Sequence, residues 1–415
     1  MIRPASIPRL FAAGPALADH RTAYGDLPAV DTGLITTVEQ AGLTGRGGAG
    51  FPTARKMAAI GGRQPVVVGN GAEGEPLSRK DIRLLTHAPH LVLDGLQAAA
   101  AATGARTIYL YVHHDAVAAV GAALAERRAA GLDHRRVEII EAPDRFVAGE
   151  ESAAIRHIEG GPALPRDRTV PAAVSGVRGQ PTLVHNVETL AHIALIARFG
   201  APWFQSVGDP AEPGTMLITL SGAVQPAGVI EAPTGTALPD LLDQTGTSWP
   251  DGVQAVLVGG YHGSWLSATD LAGARLSRRG LAAFGATPGA GIVHILGPDE
   301  CGLARTATIA GYLAAESARQ CGPCRNGLPE LARLFDALAY GRADDQTLRD
   351  IRRINRLVAG RGSCRHPDGT ARMLASALGA FSADIELHRR GSCTAARNAT
   401  ALPRVAGFGH GWAPV

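Results

Sequence analysis

The sequence predicts an α/β protein built from a parallel sheet, a small β-rich unit and a helical bundle. Three observations predict it. Short apolar runs at Val66–Val68, Thr107–Val112 and Val137–Ile140 alternate with Ala-rich helical stretches at Pro89–Ala102 and Ala116–Arg128. Strands and helices that alternate in this way give a parallel sheet covered on both faces. From Gly214 to about Leu276 the chain turns rich in Gly, Pro and Thr, with β-type runs at Met216–Ser221 and Ala255–Val258 and a short helix at Leu238–Thr245. After Cys301 four amphipathic stretches follow, Leu303–Ser317, Leu328–Tyr340, Asp345–Val358 and Thr370–His388, separated by short turns as in an up-down-up-down bundle.

These elements divide the 415 residues into an N-terminal arm (1–34), an α/β unit (35–205), a β-rich unit (214–285), a helical unit (295–393) and a Gly/Pro-rich tail (394–415). The arm is expected to be irregular, because Pro4, Pro8 and Pro15 interrupt it. Its apolar patch is too short for a good signal peptide, so a cytoplasmic location is expected. No apolar run reaches the roughly 18 residues of a membrane span. The formal net charge is +3 and no basic block stands out, which argues against nucleic acid as a partner.

Cation usage is lopsided. Of 40 Lys plus Arg, only Lys56 and Lys80 are Lys. Where Arg is the default, a Lys marks a position that favours a compact point charge. The five cysteines all follow residue 300, and Cys321, Cys324 and Cys364 stand out among them. That placement favours metal binding in a reducing compartment over a disulfide framework.

Four motifs carry the chemistry. The first is Gly45-Arg46-Gly47-Gly48-Ala49-Gly50-Phe51-Pro52-Thr53, followed by Lys56. Such a loop lets backbone N–H groups approach an anion, and Lys56 adds charge for a phosphate; alone it reads more readily as an ordinary surface loop. The second, Asn70-Gly71-Ala72-Glu73-Gly74-Glu75-Pro76, follows the strand Val66–Val68, where ligands bind in parallel sheets, although it reads equally as a polar turn. The third is Phe146-Val147-Ala148-Gly149-Glu150-Glu151-Ser152, whose acids complement a helix start. The fourth, Gly179 to Leu190, includes His185 and Asn186 and reads alone as a turn running into a helix.

Together and in this order, the four motifs resemble the flavin-binding, NADH-oxidising subunit of respiratory complex I and its relatives in NAD-linked hydrogenases and formate dehydrogenases. The resemblance covers about residues 35 to 390. It implies a Rossmann-like parallel-sheet FMN domain, a β-grasp (SLBB-like) middle domain and a four-helix bundle carrying an iron–sulfur site. By position, Gly45, Arg46, Gly47, Gly48, Gly50 and Lys56 would hold the FMN ribityl and phosphate. Asn70, Glu150, His185 and Asn186 would line the flavin, and Phe51, Glu73, Glu75 and Glu151 would face NADH. Carboxylates accept from ribose hydroxyls and the nicotinamide amide, and would also keep the anionic product loosely bound.

The implied activity is hydride transfer from NAD(P)H to FMN, then single-electron transfer through a [4Fe–4S] cluster to a ferredoxin-like protein or another redox subunit. The sequence departs from the family pattern in places. Ala72 stands for an Asp, His185 for an Asn, and Ala59 and Pro171 for aromatic residues around the adenine. Each lost stacking pair removes about 0.5–1.5 kcal/mol. These departures keep open an FMN/Fe–S subunit with a different donor, or a non-catalytic scaffold.

Among the cluster ligands the resemblance implies Cys321, Cys324 and Cys364, while Ala318 replaces the first cysteine. Three thiolates remain where a cubane cluster takes four. The fourth ligand could be His366, water, a small molecule or a partner's side chain; loss of the cluster, a zinc site or a redox pair are the other readings. A helical Leu303–Ser317 places Cys301 about 20 Å or more from Cys321. In an antiparallel bundle Cys301 and Cys393 fall at the opposite end, as buried free thiols, a disulfide or part of a second site.

Overall fold

The computed structural model describes residues 8–167, 170–246 and 252–395. Strands β1 (Val66–Gly71), β2 (Thr107–His113), β3 (Val137–Ala142) and β4 (Thr182–Asn186) form one parallel sheet in the order β3-β2-β1-β4. Val66, Val67 and Val68 are all buried because β1 is central and both faces are covered. Val67 joins Leu110 and Val112 in one apolar layer; Val66 and Val68 join Tyr109, Ile155 and Val184 in the other. Strand β4 was not expected. Thr182–Asn186 is short and mixed in polarity, and its extended form comes from pairing with β1, Val66 opposite Thr182 and Asn70 opposite Asn186.

The helices beneath the sheet are locally well specified. Pro89 opens the helix Pro89–Thr103 and Gly104, at φ 71°, closes it. This helix crosses Val187–Gln205 at Gly95, where a Cβ would stand 2.0 Å from the Leu190 carbonyl oxygen, so only glycine allows the contact. Asn186 caps Val187–Gln205 by accepting from the Glu188 N–H at 3.1 Å.

The N-terminal stretch departs from the irregular arm expected of it. It contains the helix Leu17–Tyr24, whose buried His20 lies 2.8 Å from Asp94. Leu10 is fully buried, and the backbone N–H groups of Arg9 and Leu10 donate to Glu231. Tertiary partners far along the chain order this segment, which local sequence does not reveal.

A small ribbon of β5 (Gly208–Asp209) and β6 (Glu212–Pro213) precedes a mixed five-stranded sheet. That sheet contains β7 (Thr215–Gly222), β8 (Gly228–Pro233), β9 (Ala255–Val258), β10 (Ser264–Ser267) and β11 (Ile292–Leu296), ordered β10-β9-β11-β7-β8. β11 runs parallel to β7 and antiparallel to β9 at the centre of the sheet.

The helical unit packs Leu303, Leu313, Leu331, Phe335, Ile351 and Leu374 into one core that also takes in Tyr261 and Trp265 from the mixed-sheet region. Its helices are Gly302–Ala315, Leu328–Ala339, Asp345–Val358, His366–Ala380 and Ser382–Arg389. The final stretch, expected as one helix over Thr370–His388, is two. The break falls at Phe381, which is buried edge-on against Trp265 with ring centroids 5.2 Å apart. Beyond Ala395 the expected tail lies outside the described residues.

Candidate functional site

Strand order reverses direction between β1 and β4: the chain leaves β1 toward β2 on one side and returns as β4 on the other. The carboxyl ends of strands at such a switch point form a crevice that binds ligands. Asn70 and Asn186 stand opposite one another there. The crevice is a cavity of about 430 Å³ that gathers Gly45, Gly47, Gly50, Phe51, Lys56, Asn70, Glu73, Glu75, Glu150, Glu151, His185 and Asn186 from all four motifs. Two of the sequence-predicted residues do not line it. Arg46 is buried and donates to the Pro213 carbonyl at 3.0 Å, while its own N–H binds Thr189 Oγ1 at 2.8 Å. Gly48 meets the Gly289–Ala290 backbone and accepts at its carbonyl from Arg278 at 2.6 Å.

The glycine-rich loop is held at both ends. Gly45 N–H donates to the Phe51 carbonyl at 2.9 Å, and Gly48 and Gly50 adopt φ of 102° and 61°, left-handed values that suit glycine. Between them, the N–H groups of Gly47, Gly48, Ala49 and Gly50 donate to no group of the chain among the described residues. The loop leads into the helix Thr53–Ala58, which carries Lys56 to within 2.7 Å of Glu151. Phe51, half exposed at the mouth, presents its ring with Arg55 5.8 Å from its centroid.

The two asparagines are fixed from behind. Asn70 donates to the Gly149 carbonyl at 2.9 Å, tying the second motif to the third. Asn186 donates to Asp81 at 2.7 Å and accepts from Lys80 at 3.1 Å. Sequence reading did not assign Lys80 to the site. It is buried between Asp81 at 2.7 Å and Glu188 at 2.9 Å. Burial alone would lower its pKa, but those carboxylates outweigh it and hold the ammonium charged. Its rarity was the available signal: one of only two lysines in the chain.

The acids differ in what they offer. Glu73 accepts from Ser78 Oγ, Asp81 N–H at 3.1 Å and Ile82 N–H at 3.0 Å. It therefore caps the helix Lys80–His87 while lining the cavity, and burial and Asp81 raise its pKa. Glu75 accepts from the Tyr261 N–H at 2.9 Å; burial pushes it up to about 7 despite that bond. Glu150 caps the helix Glu151–Ile158 through the N–H groups of Ser152 at 2.8 Å and Ala153 at 3.0 Å. His185 is buried with Nε2 unpartnered, and burial with Lys56 nearby lowers it to about 3, so the ring is neutral.

The cysteine set adjoins this cavity. Arg365, next to Cys364, lines the cavity itself. Burial raises the Cys364 thiol, and the charges of Glu150 and Cys321 add to that. Cys324 is pushed up to about 12 by burial and by Cys321. For Cys321, burial is opposed and outweighed by N–H groups of Cys324 and Ser363, which lower it. Cys321, Cys324 and Cys364 thus act on one another across two loops, and Pro323–Gly327 forms a wide π-helical turn around Cys324.

The imidazole of His366 is engaged elsewhere. Its Nε2 is 2.8 Å from the Leu313 carbonyl and its Nδ1 is 3.1 Å from His262, while its backbone N–H faces the Cys364 sulfur. With both ring nitrogens bonded, it is not the fourth cluster ligand in this arrangement. Phe146 packs edge-on to this ring at 5.5 Å, so the third motif touches both the cavity and the bundle. Cys301 and Cys393 lie apart from these thiols, close to His388.

The residues present fit a flavin nucleotide: free loop N–H groups and a lysine for phosphate, an unpartnered buried imidazole and two fixed amides for the polar edge of a ring. For an iron–sulfur cluster, Cys321, Cys324 and Cys364 would supply three thiolates, one fewer than a cubane cluster takes.

Residues 38–195 match the family model for the Nuo51 FMN-binding domain, and residues 304–388 match the NADH-ubiquinone oxidoreductase-F iron-sulfur binding region. The chain is 30% identical over 372 residues to the F 2 subunit of NADH-quinone oxidoreductase from Rhizobium meliloti (strain 1021), covering 86% of this chain and 88% of that one. It is also 30% identical to the NADP-reducing hydrogenase subunit HndC of Solidesulfovibrio fructosivorans, covering 86% of this chain and 76% of that one. Among solved structures, the NAD⁺-reducing [NiFe]-hydrogenase in its H₂-reduced state superposes with a TM-score of 0.79 at 32% identity. That match covers 86% of this chain and 62% of the longer hydrogenase chain.

Proposed function

Because the chain belongs to the family of NADH-quinone oxidoreductase F subunits, an NADH dehydrogenase-like flavoprotein group with FMN-binding and iron–sulfur regions, we propose that it moves electrons from NAD(P)H to a redox protein, ferredoxin-like or another subunit, in the cytoplasm. FMN, when bound, supplies the chemistry by accepting a hydride and releasing electrons singly. The observation that carries this reading is the convergence of all four motifs on the switch-point crevice, next to Cys364.

The chain's own residues bind, orient and screen. The free N–H groups of Gly47–Gly50 and the Lys56 ammonium are suited to a phosphate, and Lys56 stays close through Glu151. Asn70 and Asn186 hold fixed amides at the ends of β1 and β4, so the isoalloxazine would be seated without reorganisation. Neutral His185 adds no charge to that pocket. Phe51 offers a stacking face at the mouth for a pyridine nucleotide. Glu75, near its midpoint at neutral pH, can hold a proton at its carboxyl oxygen or accept from an amide donor. Cys321, Cys324 and Cys364 would carry the cluster on the bundle side of the same cavity.

Ala59, Ala72 and Pro171 favour a second reading, in which the donor is not a pyridine nucleotide. No described helix is long and apolar enough to cross a membrane. The proposal is tested by measuring FMN, iron and acid-labile sulfide per chain after anoxic isolation. A colourless protein lacking FMN would overturn it.

A further inference from the structure

The helical unit gathers a second set of ligand-type side chains at the end away from the cluster thiols. Cys301 is the N-cap of the helix Gly302–Ala315, His388 lies in the last turn of Ser382–Arg389, and Cys393 follows just beyond. Their ligand atoms lie within 4.8 Å of one another, and all three residues are buried. Cys301 Sγ stands 3.4 Å from His388 Nε2.

The imidazole is oriented as a ligand. His388 Nδ1 lies 2.7 Å from the Ala339 carbonyl oxygen, to which it can only donate. The lone pair is therefore on Nε2, facing Cys301. A carbonyl that holds the remote N–H fixes the tautomer and ring direction of metal-binding histidines. The Ala304 N–H points at Cys301 Sγ from 3.4 Å, so the sulfur is held at the start of the helix, facing His388.

We propose that Cys301, His388 and Cys393 bind a thiophilic divalent cation, Zn²⁺ above all, which fastens the chain after the last helix to the start of the bundle. Tetrahedral zinc with Zn–S of about 2.3 Å and Zn–N of about 2.0–2.1 Å sets a sulfur–nitrogen edge of about 3.5 Å, close to the distance observed. Two thiolates and a neutral imidazole balance the dication, so the buried site carries no net charge. Each thiol releases its proton to solvent on binding, and water completes the fourth position. This site is distinct from the iron–sulfur thiols, because the helix between Cys301 and the Cys321 loop is about 20 Å long.

The test uses the full-length protein isolated anaerobically and reconstituted with zinc chloride, followed by metal analysis. Wild type and Cys324→Ser are each expected to hold about one zinc per chain that resists washing. Cys393→Ala and His388→Gln are expected to lose that zinc while keeping the wild-type iron content. Chelation by EDTA should lower the Tm of wild type and zinc should restore it, with no such response in Cys393→Ala. Three results would overturn the proposal: no bound zinc in wild type, zinc unaffected by both ligand substitutions, or a Cys301–Cys393 disulfide in the anaerobic protein. If a variant fails to fold, the zinc content and chelator response of wild type decide the matter.

Discussion

Lys56 Nζ and Glu151 Oε1 lie 2.7 Å apart at the cavity, joining the helix after the glycine-rich loop to the helix that follows Glu150. Both side chains are about one-third exposed, so the pair itself adds little stability. Glu151→Gln is expected to change unfolding free energy by less than about 1 kcal/mol. Lys56→Ala is expected to weaken FMN about 10- to 100-fold, the loss of one charge-assisted phosphate contact. Fluorescence titration of flavin-free protein with FMN, alongside urea unfolding, separates the two effects.

Lys80 behaves differently because it is buried with its partners. Lys80→Met leaves Asp81 and Glu188 without their cation and is expected to cost about 3–5 kcal/mol. A fall of the urea midpoint with unchanged slope would confirm it; a neutral result would show that the buried acids are protonated without the lysine.

Asn186→Ala removes the cap of Val187–Gln205 and the tie to Asp81. The expected stability loss is about 1–2 kcal/mol, together with weaker FMN binding. Asn186→Asp should keep the cap but place a carboxylate beside Asp81, so FMN retention after gel filtration should fall with helix content unchanged.

Glu75 predicts a pH signature. Its folded pKa, about 7, lies above the ordinary carboxyl value of 4.5. Between those values the folded state binds more protons than the unfolded chain, so this group's contribution to stability falls as pH rises and levels off above about 7. Glu75→Gln removes that loss. The Tm of the variant relative to wild type should therefore rise from pH 5 to pH 8; a constant difference would show that Glu75 does not titrate there.

Much of this was legible where local pattern and tertiary role agree. Val66–Val68 reads as a buried strand because a central parallel strand is apolar on both faces, and Asp345–Val358 reads as a helix from its amphipathic pattern, with the bounds the structure shows. The antiparallel order of the bundle was enough to bring Cys301 and Cys393 to one end. β4 was missed because Thr182–Asn186 owes its extension to β1, and β11 because Ile292–Leu296 straddles residue 295, where the helical unit was expected to begin. Phe381 breaks the final helix for the sake of Trp265, a partner that helical periodicity cannot show. In the site, Lys80 escaped because its partner Glu188 is remote in sequence, and the alternative ligand His366 failed because Leu313 and His262 occupy its ring nitrogens.

The central claim is that the flavin held at the Asn70–Asn186 crevice is reduced by a pyridine nucleotide. Anaerobic stopped-flow mixing of the FMN-loaded protein with NADH, and separately NADPH, tests it directly. At least one of them is expected to bleach the oxidised flavin absorption. Full FMN occupancy with no bleaching by either would contradict it and assign the electrons to another donor.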